Sequence, residues 1–243
     1  AKGHLLEVTS PDFTSTPEAI PHPPVIGGAD ETARARALNR WHRREQLRIV
    51  CCELEGLLDV EQTGAALSDL ADHTIRCALD VLGGSQLPMA VVALGKWGGR
   101  ELNFSSDIDL YFIRDDQTPA GPCEAVARGI LRLLTGYAGS IPLYRTDLRL
   151  RPGGITGPLV PTVSQARAEF HAGAATWERI VRIRRRAGQD RTQGLPRLLE
   201  EVDHFVEQRR FDGDRLGRRQ GCPAVIASAR AGRATADLQG GRE

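Results

Sequence analysis

The sequence predicts an α+β fold, and three observations carry that prediction. Apolar residues recur at helical spacing from Glu31 to about Leu58 and again from Glu61 to Leu82. Two short apolar runs then follow, Met89 to Leu94 and Asp107 to Ile113, with the length and β-branched content of strands and a glycine-rich turn between them. Beyond the loop that ends near Pro158, helical spacing returns. A chain of 243 residues is long enough to bury a sizeable core. Its 32 basic and 31 acidic residues nearly cancel, so bulk charge points to neither nucleic acid nor a membrane surface as the partner. No apolar run reaches membrane-spanning length and the N-terminus lacks the order of a secretory signal, which reads as a cytoplasmic protein. Five cysteines without CxxC spacing suit reduced thiols.

Residues 1–30 hold five prolines and the pair Gly27-Gly28, the composition of an extended lead-in. In the first helix Leu38, Trp41, Leu47, Val50, Leu54 and Leu57 form the apolar stripe, and Arg40, Arg43, Arg44 and Arg48 read as a solvated face. The second helix carries Leu67, Leu70, Ile75, Leu79 and Val81 and stops at Gly83-Gly84, so the two are expected to pack as a hairpin. Gly95 ends the first strand, and Arg100 to Phe104 is expected to form a short helix. Pro122 suits the first turn of a helix to about Tyr137, and Leu143 to Arg151 reads as a further strand. Helices are expected from Ser164 to about His171, from Thr176 to Arg186 and from Leu195 to Arg209; after Phe211 a mobile tail is expected. The resulting division is a lead-in over 1–30, a core with its preceding hairpin over 31–160, a helical segment over 161–210 and a tail over 211–243.

Chemistry concentrates between residues 88 and 114. A strand has a side-chain period of two, so Asp107 and Asp109 project from one face. Neighbouring carboxylates repel; water or a lysine can screen them, and a divalent metal can take them as hard oxygen ligands. Gly98 and Gly99 either let backbone approach an anion or simply make a tight turn. On the later strand Asp147, Arg149 and Arg151 share parity. They are an exposed edge whose charges pair with one another or, if that strand lies beside Asp107 to Ile113, a third carboxylate with two guanidiniums for phosphate oxygens.

Three separated strings then resemble one family: GKWGGRELNFSSDIDLYF at 95–112, DLRLRPGGITGPLV at 147–160 and WERIVRIRRRAG at 177–188. They are similar to the glutamine synthetase adenylyltransferase and adenylyl-removing enzymes, of the DNA polymerase β-like nucleotidyltransferase superfamily. The likeness spans about residues 31–210 and is closer to the N-terminal, adenylyl-removing core, of which this chain has one copy. It implies a nucleotidyltransferase core sheet with flanking helices. By the family pattern Asp107, Asp109 and Asp147 would hold Mg²⁺. Gly98, Gly99, Ser105 and Ser106 would approach the nucleotide phosphates, and Arg149 and Arg151 would stabilise them. The implied partners are glutamine synthetase as protein substrate, ATP or ADP, and phosphate, with neither nucleic acid nor membrane. AMP would be removed from an adenylyl-tyrosine by phosphorolysis to ADP, or attached from ATP; the alternative is a remnant that binds nucleotide or glutamine synthetase without turnover.

Overall fold

The computed structural model describes residues 30–136, 141–173 and 186–190. The expected lead-in, the helix from Leu195 to Arg209 and the tail lie outside these residues, as does most of the helix expected from Thr176.

Among the described residues two long helices come first. In α1, Glu31–Leu54, the Asp30 side chain caps the start by accepting from the Ala33 amide at 2.7 Å. The helix stops before the expected Leu58 because Gly56 takes a positive φ of 68°. The Gly56 and Leu57 amides then turn back onto the Glu53 and Cys52 carbonyls. A reciprocal capping box between Asp59 and Gln62 opens α2, Val60–Val81. Leu38, Trp41 and Ile49 of α1 share one apolar core with Leu67, Leu70 and Ile75 of α2, so the hairpin forms as expected.

The arginine face of α1 is only half solvated. Arg40 and Arg44 are exposed, whereas Arg48 is buried and pairs with buried Glu45 at 2.8 Å. Arg43 donates to the Pro142 carbonyl at 3.2 Å and Asn39 to that of Ile141 at 2.9 Å, so this face of α1 holds the chain that leads into the third strand.

His42 lies on the same helix, buried edge-on against Tyr144 with ring centroids 4.9 Å apart and no hydrogen bond to either ring nitrogen among the described residues. Burial first and the nearby Arg43 charge second lower its pKa to about 3. The unfolded chain therefore takes up a proton near pH 6.5 that the folded chain refuses until about pH 3. Stability should be complete above pH 6.5 and fall as pH drops through that window, by up to about 1.4 kcal/mol per pH unit. Denaturant midpoints at pH 7 and pH 5 check this, and a His42→Phe chain should show a shallower fall between them.

Among the described residues four strands make one sheet: β1 Met89–Ala93, β2 Ile108–Arg114, β3 Thr146–Asp147 and β4 Arg186–Asp190, in the order β3-β2-β1-β4. β1 pairs antiparallel with β2, from Met89 opposite Arg114 to Ala93 opposite Leu110. β2 and β3 run parallel, with Ile108 opposite Thr146 and Asp109 opposite Asp147. That parallel pairing needs a crossover, which contains α4, Ala120–Thr135. Its Val126, Ala127, Ile130 and Leu134 join the apolar core of the hairpin together with Val91, Ala93, Ile108, Leu110 and Phe112 of the sheet. By parity the opposite sheet face carries Asp109, Tyr111 and Ile113. The carboxylate is thus turned away from the helical core.

Several expectations need correction. The strand expected from Leu143 to Arg151 shrinks to β3, because the Asp147 carboxylate accepts the Arg149 amide at 2.8 Å and closes an Asx-turn. The chain returns to the sheet only at Thr162, which bridges Arg114. The short helix expected from Arg100 to Phe104 forms earlier instead, as the single turn α3, Gly95–Gly98, which the glycine pair closes. The helix expected at Ser164 is α5, Val163–Gly173, and its cap is Thr162, whose hydroxyl accepts from Gln165 while Gln165 accepts in return. Ser164 instead bonds Asp116 through its amide at 3.0 Å and its hydroxyl at 2.7 Å. Arg186, expected to end a helix, opens β4, which pairs with β1 antiparallel and bulges opposite Val91 and Val92.

No helix among the described residues is long and apolar enough to cross a membrane. Cys51, Cys52, Cys77 and Cys123 are free thiols.

Candidate functional site

The site forms where α3, the start of β2 and the end of β3 meet. The glycine-rich turn is docked on one face of α2. Trp97, fully buried, donates its indole N–H to Asp72 at 3.0 Å, and Arg100 grips Asp69 through two bonds of 2.6 and 2.8 Å. The Leu102 amide donates to the Ser68 hydroxyl at 3.4 Å, and a Cβ on Gly64 would lie 3.2 Å from the Glu101 Cα. Gly64, Ser68 and Asp72 follow one another at helical i, i+4 spacing, so a single stripe of α2 receives residues 97–102. Arg100 is held at φ 59°, a left-handed conformation uncommon for a side-chain-bearing residue. Its paired guanidinium shows what pins it there.

Gly95 is the glycine that this geometry demands. It sits at φ +56°, and a Cβ there would collide with the Asp109 Oδ2. The Leu94 amide donates to the Asp109 carbonyl at 2.9 Å, so the turn starts directly over this carboxylate. Gly98 and Gly99 lie in the same turn, but their amides donate to the Leu94 and Gly95 carbonyls at 2.9 and 3.0 Å. They close α3; those amide hydrogens do not point outward to an anion. Ser105 and Ser106 gather around Asn103, whose side-chain oxygen accepts from the Ser105 amide at 3.2 Å and the Ser106 hydroxyl at 2.8 Å. This Asx-type turn delivers the chain into Asp107.

The three aspartates differ in their surroundings. Asp109 and Asp147 stand opposite each other on adjacent parallel strands. Burial, then the charges of Asp147 and Asp107, raise the Asp109 pKa above the usual carboxylate range, and Arg149 and Lys96 offset this only in part. Asp147 is shifted the other way, its carboxylate bonded by the Arg149 guanidinium, with Nε 2.8 Å from Oδ2. Asp107 is exposed and bonded by Arg145 at 2.5 Å, while a second nitrogen of Arg145 donates to the Ser105 carbonyl at 2.9 Å. Asp109 therefore lies between two carboxylates that each carry an arginine.

Arg151 lies elsewhere. It donates to the Ile155 and Gly157 carbonyls at 2.6 and 3.3 Å and braces the loop after β3, because the Asx-turn at Asp147 removes the strand that would have aligned it with Arg149. Sequence reasoning missed Gly95, Asn103, Lys96 and Arg145. Gly95 was legible only as a strand end, and Asn103 only as the Asn of an Asn-x-Ser-Ser string. Arg145 has no local signal, since it meets Asp107 across 38 residues.

Three neighbouring carboxylates, with the pKa of the central Asp109 raised by burial and by the charges on either side, are the hard-oxygen donor set that suits a divalent cation. The arginines stand in for positive charge on the outer two. With them in place, no group of three or more possible ligands converges for a metal among the described residues. The donor chemistry fits a cation; the side-chain arrangement is one from which guanidinium would have to move.

Residues 11–195 match the family model for glutamate-ammonia ligase adenylyltransferase. The bifunctional glutamine synthetase adenylyltransferase/adenylyl-removing enzyme of Methylococcus capsulatus is 34% identical over an alignment of 209 residues that covers 76% of this chain and 22% of that protein. Its counterpart in Cutibacterium acnes is 31% identical over 183 residues, 74% of this chain and 18% of the relative. In Neisseria meningitidis the figures are 35% over 161 residues, 62% and 18%. The chain thus spans about a fifth of the length of the curated relatives it matches. Since the family match covers well over half of the 243 residues and takes in the docked turn and all three aspartates, the chain belongs to the glutamate-ammonia ligase adenylyltransferase family.

Proposed function

We propose that this chain carries the carboxylate centre of a magnesium-dependent, cytoplasmic nucleotidyltransferase acting on glutamine synthetase. It would remove AMP from an adenylyl-tyrosine by phosphorolysis to ADP, or attach AMP from ATP. The observation that carries this reading is the placement of Asp109 opposite Asp147 on parallel strands, with Asp107 two residues before it and Gly95 folded over its carboxylate.

Transfer at phosphorus needs the attacking and leaving oxygens held in line and the developing oxygen charge neutralised. Asp107, Asp109 and Asp147 would hold Mg²⁺, which when bound supplies that neutralisation. The chain's own residues build the surroundings. Gly95 leaves room for the Asp109 carboxylate, α2 keeps the turn above it rigid, and Arg149 brings a planar donor fork that suits phosphate oxygens. Ser105 and Ser106, ordered by Asn103, lead the chain directly into Asp107.

Incubation with adenylylated glutamine synthetase, Mg²⁺ and phosphate should release ADP. Incubation with ATP and unmodified glutamine synthetase, read by intact mass, tests the reverse direction. Product in neither assay would remove the enzymatic reading. A second reading, nucleotide binding without turnover, is favoured by the guanidiniums on Asp107 and Asp147. Calorimetric nucleotide binding with no product in both assays would establish it.

A further inference from the structure

Arg145 stands out because it joins two parts of the site that the chain otherwise leaves apart. It comes from the residue just before β3, crosses to the approach of β2, and bonds the Asp107 carboxylate and the Ser105 carbonyl together. The Ile108 amide donates to the Arg145 carbonyl at 2.9 Å, so its backbone is fixed in the sheet while its side chain reaches outward. Side chains of Arg145 and Asp107 are 74% and 48% exposed. An ion pair so open to water is weak and easily exchanged. The Arg149–Asp147 contact differs: the acid is only 16% exposed there and also accepts the Arg149 amide.

We propose that Arg145 is a built-in competitor for the cation at the Asp107 end of the site, a guanidinium that a divalent metal ion must displace before the three carboxylates can converge. This inference rests on the reading that Asp107, Asp109 and Asp147 bind a divalent cation. Displaced from Asp107, the Arg145 guanidinium is released beside the Ser105 turn, where it can meet an anionic phosphate. The same side chain thus holds Asp107 until a cation enters and becomes a phosphate donor afterwards. A purely bracing role predicts the opposite sign: removing a brace from the Ser105–Asp107 approach would loosen the carboxylate and weaken metal binding.

Mn²⁺ serves as the probe, with free ion read by electron paramagnetic resonance in titrations of the intact chain without nucleotide. Arg145→Gln should bind Mn²⁺ about two- to five-fold more tightly than the parent, the range expected for losing one exposed ion pair. The gain should shrink with added salt, as exposed charges are screened. Lys96→Gln removes a charge that acts on Asp109 from an exposed position and should give a smaller gain, since Lys96 makes no contact with Asp107 among those described. Unchanged or weaker binding in Arg145→Gln, or equal gains in the two variants, would overturn the competitor role. Asp109→Asn separates the two levels: if it leaves Mn²⁺ binding intact, the cation reading of the site fails, whereas lost binding in Asp109→Asn beside an unchanged Arg145→Gln sinks only the role of Arg145.

Discussion

Asparagine in place of Asp109 should cut AMP transfer by about a hundred- to a thousand-fold or more while making the fold more stable at neutral pH. The activity loss follows from removing the central of three carboxylates, the one that has Asp107 two residues before it and Asp147 directly across. The stability gain follows from the same geometry. Like charges opposite each other on neighbouring strands cost about 0.2–1 kcal/mol, and burial and both neighbouring acids already raise the Asp109 pKa. Its folded state prefers the neutral carboxyl, so this group's contribution weakens as pH rises through its folded pKa. An asparagine removes that dependence. Calorimetry at pH 7 should show a melting temperature higher by roughly 1–4 °C. A variant that keeps its activity would sink the role of Asp109, and one that melts lower would sink the repulsion argument.

Alanine at Gly95 should damage both stability and activity. The left-handed backbone there costs a residue with a Cβ about 1 kcal/mol, and that Cβ also meets the Asp109 carboxylate. Together they should lower unfolding free energy by about 1–3 kcal/mol and push Asp109 out of register with Asp147. Activity should fall nearly as far as in Asp109→Asn. Denaturant unfolding of Gly95→Ala, Asp109→Ala and the double variant separates the two contributions. In the double variant the collision is gone and only the backbone part of the penalty should remain. A strictly additive result would show that the carboxylate does not rest on Gly95.

Much of this arrangement was legible because it is local. Alternation along DIDLYFIR puts Asp109 on one face and Leu110 on the other whatever surrounds the strand. Asp59 followed by Gln62 announces the start of α2, and the spacing of Leu67, Leu70 and Ile75 sets its buried side. Errors fell where a local bond competes with a longer pattern. The stretch from Leu143 to Arg151 alternates like a strand, yet Asp147 takes the Arg149 amide and turns the chain, and Arg151 leaves the site with it. The string RAGQD has little strand propensity, and it becomes β4 only because β1 has a second edge to pair. Gly98 and Gly99 drew notice as a pair, whereas the glycine with the steric requirement is Gly95.

By itself the sequence determined the α+β class, the helical hairpin, the strands flanking a glycine turn and the placement of Asp109 on the strand face opposite Leu110. Those features depend on side-chain period, caps and turn residues, which act over a few positions. Only the tertiary structure decided that Asp147 stands opposite Asp109, that α2 clamps the turn through Asp69 and Asp72, and that Arg145 covers Asp107. These contacts join residues 25 to 38 positions apart. Strand order and helix docking, not spacing along the chain, bring such charges together.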